Sequence, residues 1–285
     1  MSRRLKTSLI LVGLAFFGVV SFAQEAKPTG KKKGKEHKLS AVYFSWGYNQ
    51  EWYTKCNVHV EQPRLNSNYD FIQVDARDHM GWNNKSIFSQ ALTIPQYNYR
   101  LGFYIGKEQK WGVELNFDHT KYLIRDGQNM RMKGTFKGRE VDTNFVFSEA
   151  NGDYYYLNNG ANFFLFNIVR RVNLFQDKKK NFVLDFVGKA GIGPVVPHVE
   201  NRLFGDKNDQ LFQFGGWNTG LETVVRATIH KYAFIEFSQK VDYARYSNLK
   251  VYQGLAKQNF GTYELIMSIG FVLPTNWHTA TEAKK

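Results

Sequence analysis

The chain has a single cysteine, only six prolines in 285 residues, and no long apolar run beyond its first two dozen positions. One cysteine, Cys56, excludes an internal disulfide. Few prolines leave the backbone free to build hydrogen-bonded ladders. The lack of about 18 to 20 consecutive apolar residues excludes a membrane-spanning helix. No G-x-S-x-G elbow and no H-E-x-x-H pair occurs, so the common signatures of a serine hydrolase and a zinc protease are missing. Aromatics, by contrast, are abundant: 24 Phe, 16 Tyr and 6 Trp, at a mean hydropathy of −0.45. Many rings on a chain of low mean hydropathy suit strands with one greasy and one polar face.

The start of the chain has the form of an export signal. Arg3, Arg4 and Lys6 precede an apolar run from Leu9 to Val20, and Ser21-Phe22-Ala23 places small residues at a cleavage point before Gln24. Lys6 occupies a position where a twin-arginine signal wants an apolar residue, and no cysteine is placed for a lipid anchor. Residues 1–23 are therefore expected to be a secretory signal peptide. The formal net charge is +13. Residues 24–38 hold six lysines against Glu25 and Glu36. Without apolar spacing, they are expected to be a basic, disordered periplasmic tail. It serves as a solvated tether or is drawn to anionic lipid or another envelope polymer. Export makes nucleic acid a poor partner despite the basic charge.

The stretch 111–120 sets the pattern of the rest. Trp111, Val113, Leu115 and Phe117 fall on one parity; Gly112, Glu114, Asn116, Asp118 and Thr120 fall on the other. Alternate side chains of a strand point to opposite faces. The same alternation predicts a strand from Leu39 past Trp52, and others at 97–105, 162–174, from Phe182, from Trp217, from Ile235 and at 259–273. Connections near 106–110, 176–181 and 230–231 are short. Those near 57–96, 126–153, 201–210 and 248–257 are longer and are expected to be external loops, with a hairpin from 130–136 and 141–147. Short and long connections alternate as in an antiparallel up-and-down transmembrane barrel of about eight strands, ten if a loop hairpin joins the wall. A soluble lipocalin-like barrel is the alternative. The barrel is expected over 39–273, with a polar tail at 274–285 and both termini in the periplasm.

The polar parity collects Arg100, Arg171, Lys189, Arg226 and Lys240 with Glu114, Asp118, Asp185, Glu222, Glu236, Asp242 and Glu264. Eight strands leave an interior just wide enough for side chains. Unpaired buried charge is costly, so these twelve are expected to form an ion-pair network that plugs the lumen. The alternatives are a narrow conducting path or a catalytic carboxylate pair. An aromatic girdle is expected from Trp46, Tyr48, Tyr97, Tyr99, Tyr243 and Tyr263 at the outer side and Trp111, Phe182 and Phe271 at the inner side.

From the alternation over 39–273 and a final strand bearing Tyr263, Leu265, Met267, Ile269 and Phe271, the chain resembles the small eight-stranded outer-membrane barrels of Gram-negative bacteria, the OmpA and OmpX type. The resemblance implies an integral outer-membrane location and insertion by the barrel-assembly machinery, whose terminal signal the last strand resembles. Leu273-Pro274-Thr275 follows Phe271 where many such barrels end, and no peptidoglycan-binding domain follows.

Some such barrels are lipid-modifying enzymes. Lipid A deacylases carry a His and, two positions on, a Ser on the outward face of one strand. Asp118-His119-Thr120 is the nearest cluster, but the residue two after His119 is Lys121 and Thr120 points the other way. His119 and Asp118 are thus weak catalytic candidates, and His119 is expected to look toward lipid headgroups beside a Lys121 placed for lipopolysaccharide phosphates. Asp75, Asp78 and His79 are a loop cluster open to a divalent cation or to nothing but water. Cys56 and His59 are half a metal site. No cofactor is expected. The sequence reads as a structural or interaction component of the envelope, alone or as a subunit of a larger outer-membrane complex, with lipid and lipopolysaccharide as neighbours. An acyl hydrolase or a narrow channel is the alternative.

Overall fold

The computed structural model describes residues 39–79, 96–157 and 160–275. The expected signal peptide, basic tail and most of the polar C-terminal tail lie outside them. In chain order the strands are β1 (Leu39–Tyr53), β2 (Cys56–Gln62), β3 (Ser67–Val74), β4 (Ala76–Arg77), β5 (Tyr97–Ile105), β6 (Trp111–Asp118), β7 (Tyr122–Ile124), β8 (Gln128–Phe136) and β9 (Arg139–Phe147). β10 (Tyr154–Leu157), β11 (Phe163–Gln176), β12 (Phe182–Val195), β13 (Val199–Leu203), β14 (Asp206–Gln210), β15 (Gly216–Ile229), β16 (Ala233–Val251) and β17 (Gly254–Pro274) follow.

Eight of these close a ring in the order β1-β5-β6-β11-β12-β15-β16-β17, and β17 returns to pair with β1. That closing seam runs from Ala41 opposite Pro274 to Tyr53 opposite Thr262. Closure removes the sheet edges that hydrocarbon cannot solvate. The parity expected from sequence sorts the two faces. In β6, Gly112, Glu114, Asn116 and Asp118 are buried while Trp111, Val113 and Leu115 are exposed. Phe166, Ile168 and Met267 each leave more than 60% of their surface bare on the outer wall. A continuous apolar band of this kind facing outward from a closed barrel with a charged interior is the wall of a transmembrane barrel.

The short turns share one rim with Leu39 and Thr275, whose N–H donates to the Ser40 carbonyl at 3.1 Å. The β15–β16 turn is only His230, Lys231 and Tyr232, the first two with positive φ (50° and 69°). Two positive-φ residues make the mirror-image turn that matches strand twist. Inside the wall, Gly102 is required by a close approach: a Cβ there would lie 1.9 Å from the Tyr43 ring.

At the opposite rim the structure corrects the expectation of separate external loops. The segments read as loops fold into a two-layer β cap. β16 and β17 do not stop at the wall; they continue outward to a turn at Tyr252–Gln253, so 248–257 is a long hairpin rather than a loop. β2, β3, β8 and β9 add to the outer half of β17 in that order. A second sheet, β14-β13-β10-β7-β4, forms from the other segments. Cys56, Val58, Val60, Tyr69, Phe71, Met130, Met132, Tyr155, Leu157, Val199, Leu203, Leu249 and Val251 are buried in one shared apolar cluster. Phe163 and Val195, at the barrel rim, belong to the same cluster, so the cap core runs into the mouth. The barrel ring itself stays at eight, because the added hairpin strands pair only beyond the wall.

Two irregularities keep apolar residues on the core side. The β16–β17 register shifts between Tyr246 and Leu249, so both residues face inward although three apart. In β2–β3, the register shifts between Cys56 and Val58, with Gln73 at φ 57°. A bulge inserts one unpaired residue and resets the alternation.

Candidate functional site

The lumen is filled in layers. Under the cap, Lys240 Nζ lies 5.8 Å from the centre of the Phe163 ring and contacts Asp118, Asp242 and Glu264 at 2.6, 2.9 and 3.5 Å. Arg100 meets Asp118 at 2.6 Å, Glu222 at 3.6 Å and Glu114 at 3.8 Å. Lys189 bridges Glu114 and Glu222 at 2.9 and 3.2 Å. Toward the short-turn rim, Arg226 pairs with Glu236 and Arg171 with Asp185. All twelve charged residues read from the polar parity thus lie inside the barrel, and all but Arg171 are buried. Neutral groups join the charges. Tyr43 donates to Glu114 at 2.7 Å, and the Asn167 amide to the same carboxylate at 3.0 Å. Asn49, Asn98 and Asn116 are also buried inside. Their inward parity was the available signal.

Below the charges, Tyr43, Tyr104 and Phe234 form a ring layer crossed by the Arg226 guanidinium, 4.3 Å from the Phe234 centre and 4.5 Å from that of Tyr43. Below this layer lies a vestibule of about 980 Å³ at the short-turn rim, lined among others by Tyr104, Lys107, Arg171, Lys180, Arg226 and Lys231.

Asp118 and His119 diverge. Asp118 is locked inside between Arg100 and Lys240 and faces no substrate, so it is not a partner for His119. His119 lies on the outer side but does not look freely at headgroups. It is buried, stacks on Tyr97 with ring centres 4.7 Å apart, and shares a 2.9 Å hydrogen bond from Nδ1 to Asn162 Oδ1. The Asn162 amide nitrogen donates to the Val196 carbonyl. That fixes Oδ1 toward His119, makes Nδ1 the donor, and leaves Nε2 as an acceptor. Asn162 is left-handed (φ 42°), a conformation that suits Asn. Gly160 makes room for its amide: a Cβ at 160 would fall 2.0 Å from Asn162 Oδ1. The pocket here, about 460 Å³, is lined by Tyr97, Phe117, His119, Asn162, Phe164, Val196 and Phe212. Those residues include no hydroxyl or thiol nucleophile other than the Tyr97 phenol.

The other candidates separate. Asp75 pairs with Arg125, while Asp78 accepts the Glu51 N–H at 2.8 Å. No group of three His, Cys, Asp or Glu able to hold a metal ion occurs among the described residues. Cys56 and His59 have opposite parity. Cys56 is buried in the cap against the Tyr122 hydroxyl, and burial pushes its thiol up to about 11. His59 faces outward to Asp70. The aromatic residues of the expected girdle lie on the outer wall. Trp111, Phe182 and Phe271 are near the short-turn rim, with Arg170 over Trp111 at 4.8 Å. Tyr48, Tyr97, Tyr243 and Tyr263 lie toward the cap. Trp46 and Tyr99, however, sit opposite each other, with Ile269 on the other side of Trp46, at the midpoint of β1 rather than at its outer end.

A closed eight-stranded wall, an apolar exterior and an ion-paired interior define the class: an all-β membrane barrel of the small outer-membrane type, carrying a folded cap. No family model and no curated protein matches the sequence. Among solved structures, Neisserial surface protein A is similar over 81% of this chain and 96% of its own, at 8% identity and a TM-score of 0.31. OprG of Pseudomonas aeruginosa is similar over 83% and 97%, at 10% identity and 0.34. The outer membrane protease OmpT of Escherichia coli is similar over 86% and 99%, at 11% identity and 0.35.

Proposed function

We propose that this protein is a non-enzymatic component of the bacterial outer membrane whose work is done by its cap. The observation that carries this reading is the way the chain is spent. About half of the described residues build a second, tightly packed β unit over the mouth, while the lumen beneath is filled by paired charges. A plugged barrel is an anchor, and a rigid domain held outside is an interaction surface. The short-turn rim, with both chain ends, then faces the periplasm, where the basic segment 24–38 acts as a tether. Lipopolysaccharide surrounds the wall, and the barrel-assembly machinery inserts it.

The enzyme reading has one observation in its favour, the Asn162-oriented His119. It lacks an aliphatic hydroxyl or thiol nucleophile beside that ring. Gentle detergent extraction followed by native mass spectrometry tests the proposal: a stoichiometric macromolecular partner, lost when the cap surface is altered at Arg131 or Arg139, is the expected result. Lipid A from cells carrying His119→Ala should be unchanged. An acylation pattern that depends on His119 would replace the anchor reading with a lipid-modifying enzyme.

A further inference from the structure

The wall is not equally tall all round. β6 has eight residues and β5 nine, whereas β16 and β17 run to 19 and 21. A transmembrane strand needs about 9 to 11 residues. Eight residues at about 3.3 Å each, tilted by about 40°, rise only about 20 Å, short of an apolar band about 25 Å tall. On this side the bilayer must therefore reach past the end of β6 onto the surface above, where the His119 pocket lies.

That surface is built to meet it. Segment 211–214 (Leu-Phe-Gln-Phe) leaves Leu211 75%, Phe212 57% and Phe214 64% exposed, and Phe212 forms one side of the pocket. The segment is held rather than loose. Gln213 N–H donates to Pro197 O at 3.1 Å and Gly215 N–H to Val195 O at 2.9 Å, and the Phe212 ring meets His198 edge-on at 5.3 Å. Tyr97, Phe117 and Phe164 continue the outer wall without a break into the pocket. His119 Nε2 has no partner among the described residues and is the polar group available to an occupant.

We propose that this lateral pocket seats one acyl chain of a bilayer lipid, with 211–214 as its membrane-embedded shoulder and His119 Nε2 accepting a hydrogen bond from the lipid's polar end. Moving a chain from bulk lipid into the pocket gains no hydrophobic free energy. Retention rests on packing against four rings and on that single acceptor. The inference rests on the reading that the wall faces lipid.

The test uses the full chain in dodecylmaltoside micelles supplemented with palmitoyl-oleoyl-phosphatidylglycerol, read by native mass spectrometry under activation that strips loosely held lipid. Wild type and Ile168→Trp, a change on the bare wall, should each keep one lipid. Val196→Trp fills the pocket and should lower that retention at least tenfold. Phe212→Ser removes an exposed side of the pocket and should lower it severalfold, and His119→Phe likewise. Compact migration of the unheated protein in a denaturing gel shows that each variant is a folded barrel, which leaves the membrane reading intact whatever the lipid result. Equal retention by Val196→Trp, Phe212→Ser and wild type overturns the proposal. So does the absence of any lipid that resists stripping, or retention of detergent in place of lipid, which would mean micelle contact only.

Discussion

Lys240 holds the centre of the plug. Its ammonium is the near counter-charge of Asp242 and Glu264 and shares Asp118 with Arg100. Lys240→Ala strands carboxylates in a site with no water-facing exit. Breaking one partner out of a buried ion-pair network costs about 3–5 kcal/mol, and a fall of that size is expected in urea unfolding from lipid vesicles. A loss under about 0.5 kcal/mol, the range of a surface change, would show that the network does not hold the lumen. Asp78 belongs to the junction of cap and barrel. Burial first, against hydrogen bonds from the Glu51 and His79 N–H groups and Gln96 and the nearby Lys121 charge, pushes its carboxyl up to about 6. The folded cap then binds a proton more tightly than the unfolded chain does. Its contribution to stability is complete below the ordinary carboxylate range of about 4 and is lost as pH rises through about 6. The urea concentration at which Cys56, buried in the cap, becomes open to a maleimide should therefore be higher at pH 5 than at pH 7.5. Asp78→Asn should remove most of that difference. At this scale the charges were legible from parity alone. The His119–Asn162 pair was not, because it joins residues 43 positions apart through a left-handed Asn that alternation does not mark.

Element by element, the eight wall strands were legible because each carries a period of two facing lipid over most of its membrane-facing length. Of the cap only the β8–β9 hairpin, expected at 130–136 and 141–147, was legible; the rest was not, for two physical reasons. Its other strands are short and polar on the outer face, so Arg202 in β13 and Asp206 and Asp209 in β14 make them read as loop. Its pairings are also distant in sequence: β7 joins β10 and β4, and β10 joins β13. The outer half of β16 was missed at its bulge, where Ser247 and Asn248 break the period before Leu249 and Val251 restore it. If β16 and β17 are continuous from wall to cap, amide exchange at Tyr246, Leu249, Val251 and Ala256 should be slow, within tenfold of that at Phe237 and Met267. Exchange at loop-like rates beyond Arg245 would mean that the strands end at the membrane.

Taken whole, the molecule stacks four unlike layers along one axis: an apolar cap core, an ion-paired plug, an aromatic ring layer and a basic vestibule. Each layer closes a gap the next one leaves. Phe163 roofs Lys240, Tyr43 ties the rings to Glu114, and the space of about 980 Å³ lies at the short-turn side. The membrane barrel was legible in the sequence because bilayer physics imposes it on the residues of the wall. The activity was not, since the binding surface proposed for the cap needs no particular residue pattern. Conductance across a planar bilayer after insertion of the purified full chain tests the stacked seal most directly. The account predicts no steady current above the bare membrane, in wild type or after Lys107→Ala at the vestibule. A large, stable conductance in the wild-type protein would contradict it.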